Sequence, residues 1–355
     1  MSSKSLTLSV LDQSLARTPD QASQALHETL EMARWCEQLG YERFWVSEHH
    51  AFPSVAGSAP EILLAALGAA TKTIRLGSGG IMLPHYSAYK VAEQFSLLAN
   101  LYPERIDLGV GRAPGADMST ATVLATDGRP KFERFPNLVS ELCGFLRDEV
   151  SQPLVSPKPP KALPVWMLGS SLDSAQLAAE RGLPYNLAAF INPQADPRLI
   201  QYYRERFQAN AGSPELASKV SSPALASGAD NKTSTNGKTP YSILTISVFC
   251  ADDSEHAKLL QQTHDINLFR FFTGQSNGVA VTPEQATDYP IGPQLADFMR
   301  SRDDTRAVGN PTEVKEKVLE LAERFCVDEI MAVTNIYYLA DRKRSFELLM
   351  NAFKN

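Results

Sequence analysis

Short apolar runs of strand character alternate with amphipathic helical stretches along nearly all of the 355-residue chain. Strand signals fall at 6–11, 44–46, a broken run at 74–76 and 79–83, then 105–110, 165–168, 186–190, 243–249 and 329–333. Between the first two, Ala22, Leu26, Leu30, Ala33 and Cys36 recur at helical spacing before a stop at Gly40. Pro60 opens a helix over 61–71, and another runs through Val91, Phe95, Leu98 and Leu101. Helices are also predicted over 132–147, 173–181, 199–207, 255–269, 313–325 and 342–353. Strands that alternate with helices build a parallel sheet, and eight of them close a barrel. The expected fold is therefore α/β, a (β/α)8 TIM barrel with insertions, forming a single domain over 1–355. An open doubly wound sheet is the alternative.

Two segments break the rhythm. Residues 208–240 are rich in Ser, Ala, Asn, Gly, Thr and Lys and carry no aromatic side chain before Tyr241, so a mobile insertion is expected. Residues 273–310, with their Gly and Pro residues, read either as a loop that lids an active site or as a plain surface excursion. A composition of 43% hydrophobic and 21% charged residues is that of an ordinary globular protein. The net charge of −6, without a Lys/Arg cluster, argues against a nucleic-acid partner. Cys36, Cys143, Cys250 and Cys326 form no CxxC pair. No apolar run approaches the ~20 residues that span a bilayer, and the first residues lack a signal-peptide core. A soluble, cytoplasmic protein without membrane association is expected.

Four constellations could carry chemistry. Glu48-His49-His50 closes the second strand, where barrels place their reactive groups, and alternation puts Glu48 and His50 on one face and His49 on the other. Such histidines move protons at neutral pH or simply hold a loop by hydrogen bonds. A metal site is poorly supplied: of His27, His85, His256 and His264, only His85 lies near a strand end. Gly79-Gly80 within the third strand allows either a flat ligand against the main chain or a tight barrel corner. Asp107-Leu108-Gly109-Val110-Gly111-Arg112 matches a dinucleotide fingerprint only loosely, and Arg112 reads better as a clamp for phosphate or carboxylate. Ser170, Ser171 and Ser174 surround a helix start, which binds anions or is merely capped. Arg112 on the neighbouring strand would let the two enclose one phosphate.

Together, Phe44-Trp45-Val46-Ser47-Glu48-His49-His50, the 76–84 strand and the 102–112 run resemble the bacterial luciferase-like flavin monooxygenases, as do the stretches 308–314 and 328–330. The resemblance spans the chain outside 208–240. It implies a monooxygenase that uses reduced FMN and O2 on a small organic substrate. It further implies that His49 acts in acid–base catalysis, that Glu48 and His50 orient it or touch substrate, and that His85 faces substrate. Gly79 and Gly80, joined by a cis peptide, and Met82 would line the isoalloxazine, with Arg112, Ser170, Ser171 and Ser174 at the FMN phosphate. Gly111 and Gly115 depart from the luciferase pattern, so light emission and a long-chain aldehyde are not implied. A separate NAD(P)H:flavin reductase and a homodimer through early helices also follow from the resemblance; Trp35 and 62–67 suit either that interface or the core. The alternatives are an FMN- or deazaflavin-dependent dehydrogenase, a non-catalytic flavin-binding protein, and a metal-dependent barrel hydrolase.

Overall fold

The computed structural model describes residues 6–125, 127–150, 152–209 and 239–354. Its strands are β1 (Thr7–Asp12), β2 (Arg43–Val46), β3 (Arg75–Met82), β4 (Ile106–Gly111), β5 (Val165–Gly169), β6 (Tyr185–Ala188), β7 (Ser242–Cys250), β8 (Arg306–Gly309) and β9 (Glu329–Val333). Strands β1 to β6 pair in sequence order, β6 pairs with β7, β7 with β9, and β9 with β1, so eight parallel strands close a barrel. The open-sheet alternative is excluded. β8 stands outside that circuit: β7 pairs with β9 over Ile243–Ser247 and with β8 over Ser247–Cys250.

Alternation along each strand sorts the core into two layers. Val10 and Phe44 are register partners and face the helices, where they join Met32, Leu64, Phe95 and Phe346. Their neighbours Leu11 and Trp45 face inward with Trp166, Ile243, Met331 and Val333. Helix Ala22–Leu39 buries Ala33 and Cys36 as expected, but its N-terminal half turns Ala25, Thr29 and Met32 inward while Ala22, Leu26 and Leu30 stay half-buried. It ends at Gly40, whose φ of +87° is a left-handed cap that suits glycine.

The N-terminal end of the barrel is plugged by charge. Arg43 Nε and Nη2 donate to Glu329 at 2.8 and 3.0 Å, and Nη1 donates to Asp107 at 2.9 Å. The guanidinium lies 4.8 Å from the Trp166 ring centre, and Tyr241 donates to Glu329 at 2.8 Å. Burial alone would raise the Asp107 carboxyl, but Arg75 and Arg43 outweigh it and hold it below the ordinary range. A polar cleft of about 910 Å³ opens at this end, lined by Glu37, Glu104, Arg105 and Lys161 among others. It lies away from the strand C-termini, where the candidate residues sit.

Three details differ from the sequence expectation. The third strand is continuous from Arg75 to Met82, its pairing with β4 shifting register between Ser78 and Ile81. The 273–310 segment is not bare loop: it holds helices Pro283–Thr287 and Pro293–Arg300 and the strand β8. Helix Met118–Leu124 was also unforeseen. Of the expected insertion, 210–238 lies outside the described residues.

Candidate active site at the C-terminal mouth of the barrel

β2 ends at Val46, and the next residues are pinned by main-chain bonds from His49 N–H to Gly57 O and His50 N–H to Gly115 O, both 2.9 Å. The alternation anticipated for this run is visible in the side-chain partners. Glu48 is fully buried; Oε1 accepts from His50 Nε2 at 2.8 Å and from the Tyr86 hydroxyl at 2.6 Å, while Oε2 accepts from Met82 N–H at 2.9 Å. His49 turns the other way, its Nδ1 3.0 Å from the Ser47 hydroxyl and its ring 5.7 Å from Phe52. Burial lowers the His49 pKa to about 4, with Glu48 opposing and His50 assisting, so the ring is neutral at pH 7.

On β3 the Gly79–Gly80 peptide is cis. A Cβ on Gly80 would stand 2.4 Å from Leu168 Cδ1 and 2.8 Å from the Gly109 carbonyl oxygen, so only glycine fits. Met82 continues the strand to the Arg112–Gly115 turn: a Cβ on Gly115 would lie 3.0 Å from its Cγ. His85 is 4% exposed, with Nε2 donating to Pro114 O at 2.8 Å and Nδ1 unpartnered. Its ring meets those of His50, Tyr86 and Phe132 edge-on at 6.4, 6.2 and 6.0 Å.

Arg112 follows β4, and Ser171 caps helix Leu172–Glu180 after β5. The fold brings them together: Arg112 Nη1 stands 3.4 Å from Asp173 Oδ2 in the first turn of that helix, both side chains mostly exposed. Ser174 Oγ donates to Ser171 O at 2.7 Å and lies 3.0 Å from Tyr185 Oη. It can approach because Gly169 has no Cβ, which would sit 2.3 Å from that oxygen. The Ser170 carbonyl accepts from Asn192 Nδ2 at 3.3 Å. A guanidinium, two serine hydroxyls and a helix start thus share one corner of the mouth. That donor set suits a phosphate, which would displace Asp173 from Arg112.

The 273–310 segment packs on helix Ser254–Phe272, where Val281, Ala286 and Leu295 bury against Ile266, and it touches the loops that follow β1, β2 and β6. Ala280 N–H donates to Arg17 O at 2.8 Å, Gly278 packs on Pro19 and Pro53, and Arg302 donates to Phe190 O. At its base Phe271 stacks edge-on against Phe52 at 5.0 Å, continuing the aromatic row that begins at His49. Sequence reasoning missed Phe52, Phe271 and Tyr86, which only the folded chain brings to the site. Among the described residues no group of three or more His, Cys, Asp or Glu side chains could hold a metal ion. Nor, among them, is any helix long and apolar enough to cross a membrane. Trp35, one of the surfaces considered for dimerisation, is half-buried, donating to Lys343 O at 3.1 Å beneath that residue's ammonium; Ile62 is exposed.

Residues 6–329 match the family model for luciferase-like monooxygenases. The chain is 34% identical over 358 residues to a luciferase-like monooxygenase of Escherichia coli strain K12, covering 99% of this chain and 98% of that one. An N-acetyl-S-alkylcysteine monooxygenase of Bacillus subtilis strain 168 is 42% identical over 215 residues, 58% of this chain and 63% of its own. The crystal structure of apo-MsnO8 superimposes with a TM-score of 0.84 at 34% identity, covering 98% of both chains.

Proposed function

The chain belongs to the luciferase-like monooxygenase family, and on that premise we propose that it is a flavin-dependent monooxygenase using reduced FMN and O2 on a small organic substrate. The observation that carries the cofactor reading is the corner where Arg112 meets the start of helix Leu172–Glu180. Arg112, Ser171 and Ser174, with Ser170 beside them, would hold the FMN phosphate; Gly79, Gly80 and Met82 would line the ring. Reduced FMN supplies the electron pair that activates O2, one oxygen atom entering the substrate and the other leaving as water.

The chain's own part is orientation, proton handling and exclusion of water. His49, kept neutral by burial, holds or accepts a proton at the ring nitrogen that Ser47 does not engage. Glu48 and His50 complete the polar side of the pocket, and His85 faces the substrate. Segment 273–310 acts as the lid, fastened to the β1, β2 and β6 loops. The remaining proposals are a homodimer, a cytoplasmic location and a separate NAD(P)H:flavin reductase as the source of reduced FMN.

The test is O2 consumption by the protein supplied with chemically reduced FMN and a panel of small organic substrates, with isotopically labelled O2. Label in one product supports a monooxygenase. A product formed without O2 uptake would replace this reading with a hydride-transferring dehydrogenase, and FMN binding without any product would replace it with a flavin carrier.

A further inference from the structure

The two histidines after β2 are anchored by opposite nitrogens. Ser47 engages His49 at Nδ1, and Glu48 engages His50 at Nε2. A hydroxyl both donates and accepts, so Ser47 leaves the His49 tautomer open. A carboxylate only accepts, so Glu48 puts a proton on His50 Nε2, and in the neutral ring Nδ1 is then the acceptor edge. Among the described residues nothing bonds to His50 Nδ1.

Glu48 is itself not free to turn. Three donors converge on its two oxygens, one of them the Tyr86 hydroxyl at 2.6 Å on the same oxygen that holds His50. Burial, and then the charge of Glu48, push the Tyr86 pKa well above its ordinary range, so the hydroxyl stays a donor. Glu61, its own carboxyl raised chiefly by burial, and His85, engaged by Pro114 O, complete the polar surroundings. Tyr86 is 38 residues from Glu48 in sequence and follows the 3₁₀ turn Leu83–His85 that comes after β3.

We propose that Tyr86 is a positioning residue for proton handling. Its hydroxyl fixes Glu48, Glu48 fixes the His50 ring with Nε2 protonated, and Nδ1 is the edge His50 offers to a bound molecule, while His49 is oriented independently. This deepens the monooxygenase reading and rests on it for its purpose, but its geometry is testable without flavin.

The experiment is ¹H–¹⁵N correlation of ¹⁵N-histidine-labelled full-length protein, wild type and Tyr86→Phe, with an FMN titration on the same samples. In the wild type His50 should be an Nε2–H tautomer with that proton protected from solvent. In Tyr86→Phe the proton should exchange about tenfold faster, as expected for loss of one bond to a charged group, with His49 unmoved. An Nδ1–H tautomer in the wild type overturns the proposal, whether or not the variant folds; so does an unchanged His50 exchange rate in a folded variant. Failure to bind FMN, with the His50 shifts as expected, would sink the flavin reading and leave the positioning role standing.

Discussion

Replacing Arg112 by Ala removes its guanidinium from the proposed phosphate corner, and its effect can be isolated by comparing FMN with riboflavin, which lacks the phosphate. Hydrogen bonds to charged groups contribute about 1.5–3 kcal/mol when well made. Arg112 is 53% exposed, which places it at the low end of that range through solvent screening. On binding it also gives up the contact with Asp173 that it makes in the free protein, an exposed pair whose worth is about 0–1 kcal/mol. The net expectation is about 0.5–2 kcal/mol, or roughly 2–30-fold weaker FMN binding by flavin fluorescence titration. Riboflavin affinity should be unchanged. Arg112→Lys should fall between, keeping the charge but losing the two-pronged donor geometry. Equal weakening of both ligands, or no weakening of FMN, would refute the phosphate assignment.

Other perturbations test the scaffold around the site. His49 and His264 both have pKa values lowered to about 4, chiefly by burial, so folding favours their neutral forms. The associated stability is present above pH ~6.5 and lost as pH falls toward 4, up to about 3 kcal/mol for each histidine. Urea midpoints should therefore drop between pH 7 and 5, and drop less in His264→Gln; a flat profile contradicts the burial argument. Gly80→Ala forces a Cβ against Leu168 and the Gly109 carbonyl, and should cost about 1–3 kcal/mol in urea unfolding while weakening FMN binding. A fully stable Gly80→Ala protein would mean that the strand is not packed as described. Arg43→Met leaves Asp107 and Glu329 buried without their shared cation and should destabilise by about 3–5 kcal/mol, without altering the mouth of the barrel. Unchanged stability there would show that the plug is not what closes the barrel floor.

The barrel was legible because its strands, apart from the glycine-interrupted β3, are apolar runs bounded by helical periodicity, a signal that needs no partner to be seen. β8 was not, because Arg306–Gly309 offers two apolar residues inside a Gly- and Pro-rich segment and, among the described strands, pairs with the far end of β7 alone. The helices within 273–310 were hidden by their own prolines. Pro283 and Pro293 read as loop markers, yet each stands in the first turn of a helix, where a missing N–H costs nothing. At the site, period-two alternation sufficed to separate Glu48 and His50 from His49. Tyr86, Phe52 and Phe271 carried no such mark, since their meaning lies in contacts across strands and loops. The same holds for Arg43, Asp107 and Glu329, which appear in sequence as ordinary charged residues in or beside apolar strands. The pairing of Arg112 with the 170–174 turn was foreseen as a phosphate corner, but the competing Asp173 carboxylate emerged only from the fold.

Everything proposed for the mouth of the barrel turns on a site for reduced FMN at which O2 is consumed in an oxygenation. The most direct measurement is an anaerobic titration of the purified protein with reduced FMN, followed by admission of O2 and spectroscopic monitoring of flavin oxidation. Binding should saturate, and the oxidation rate should differ from that of free reduced FMN and change again on replacing His49 with Ala. Absence of binding, or oxidation at the rate of free flavin in both proteins, would contradict that proposal.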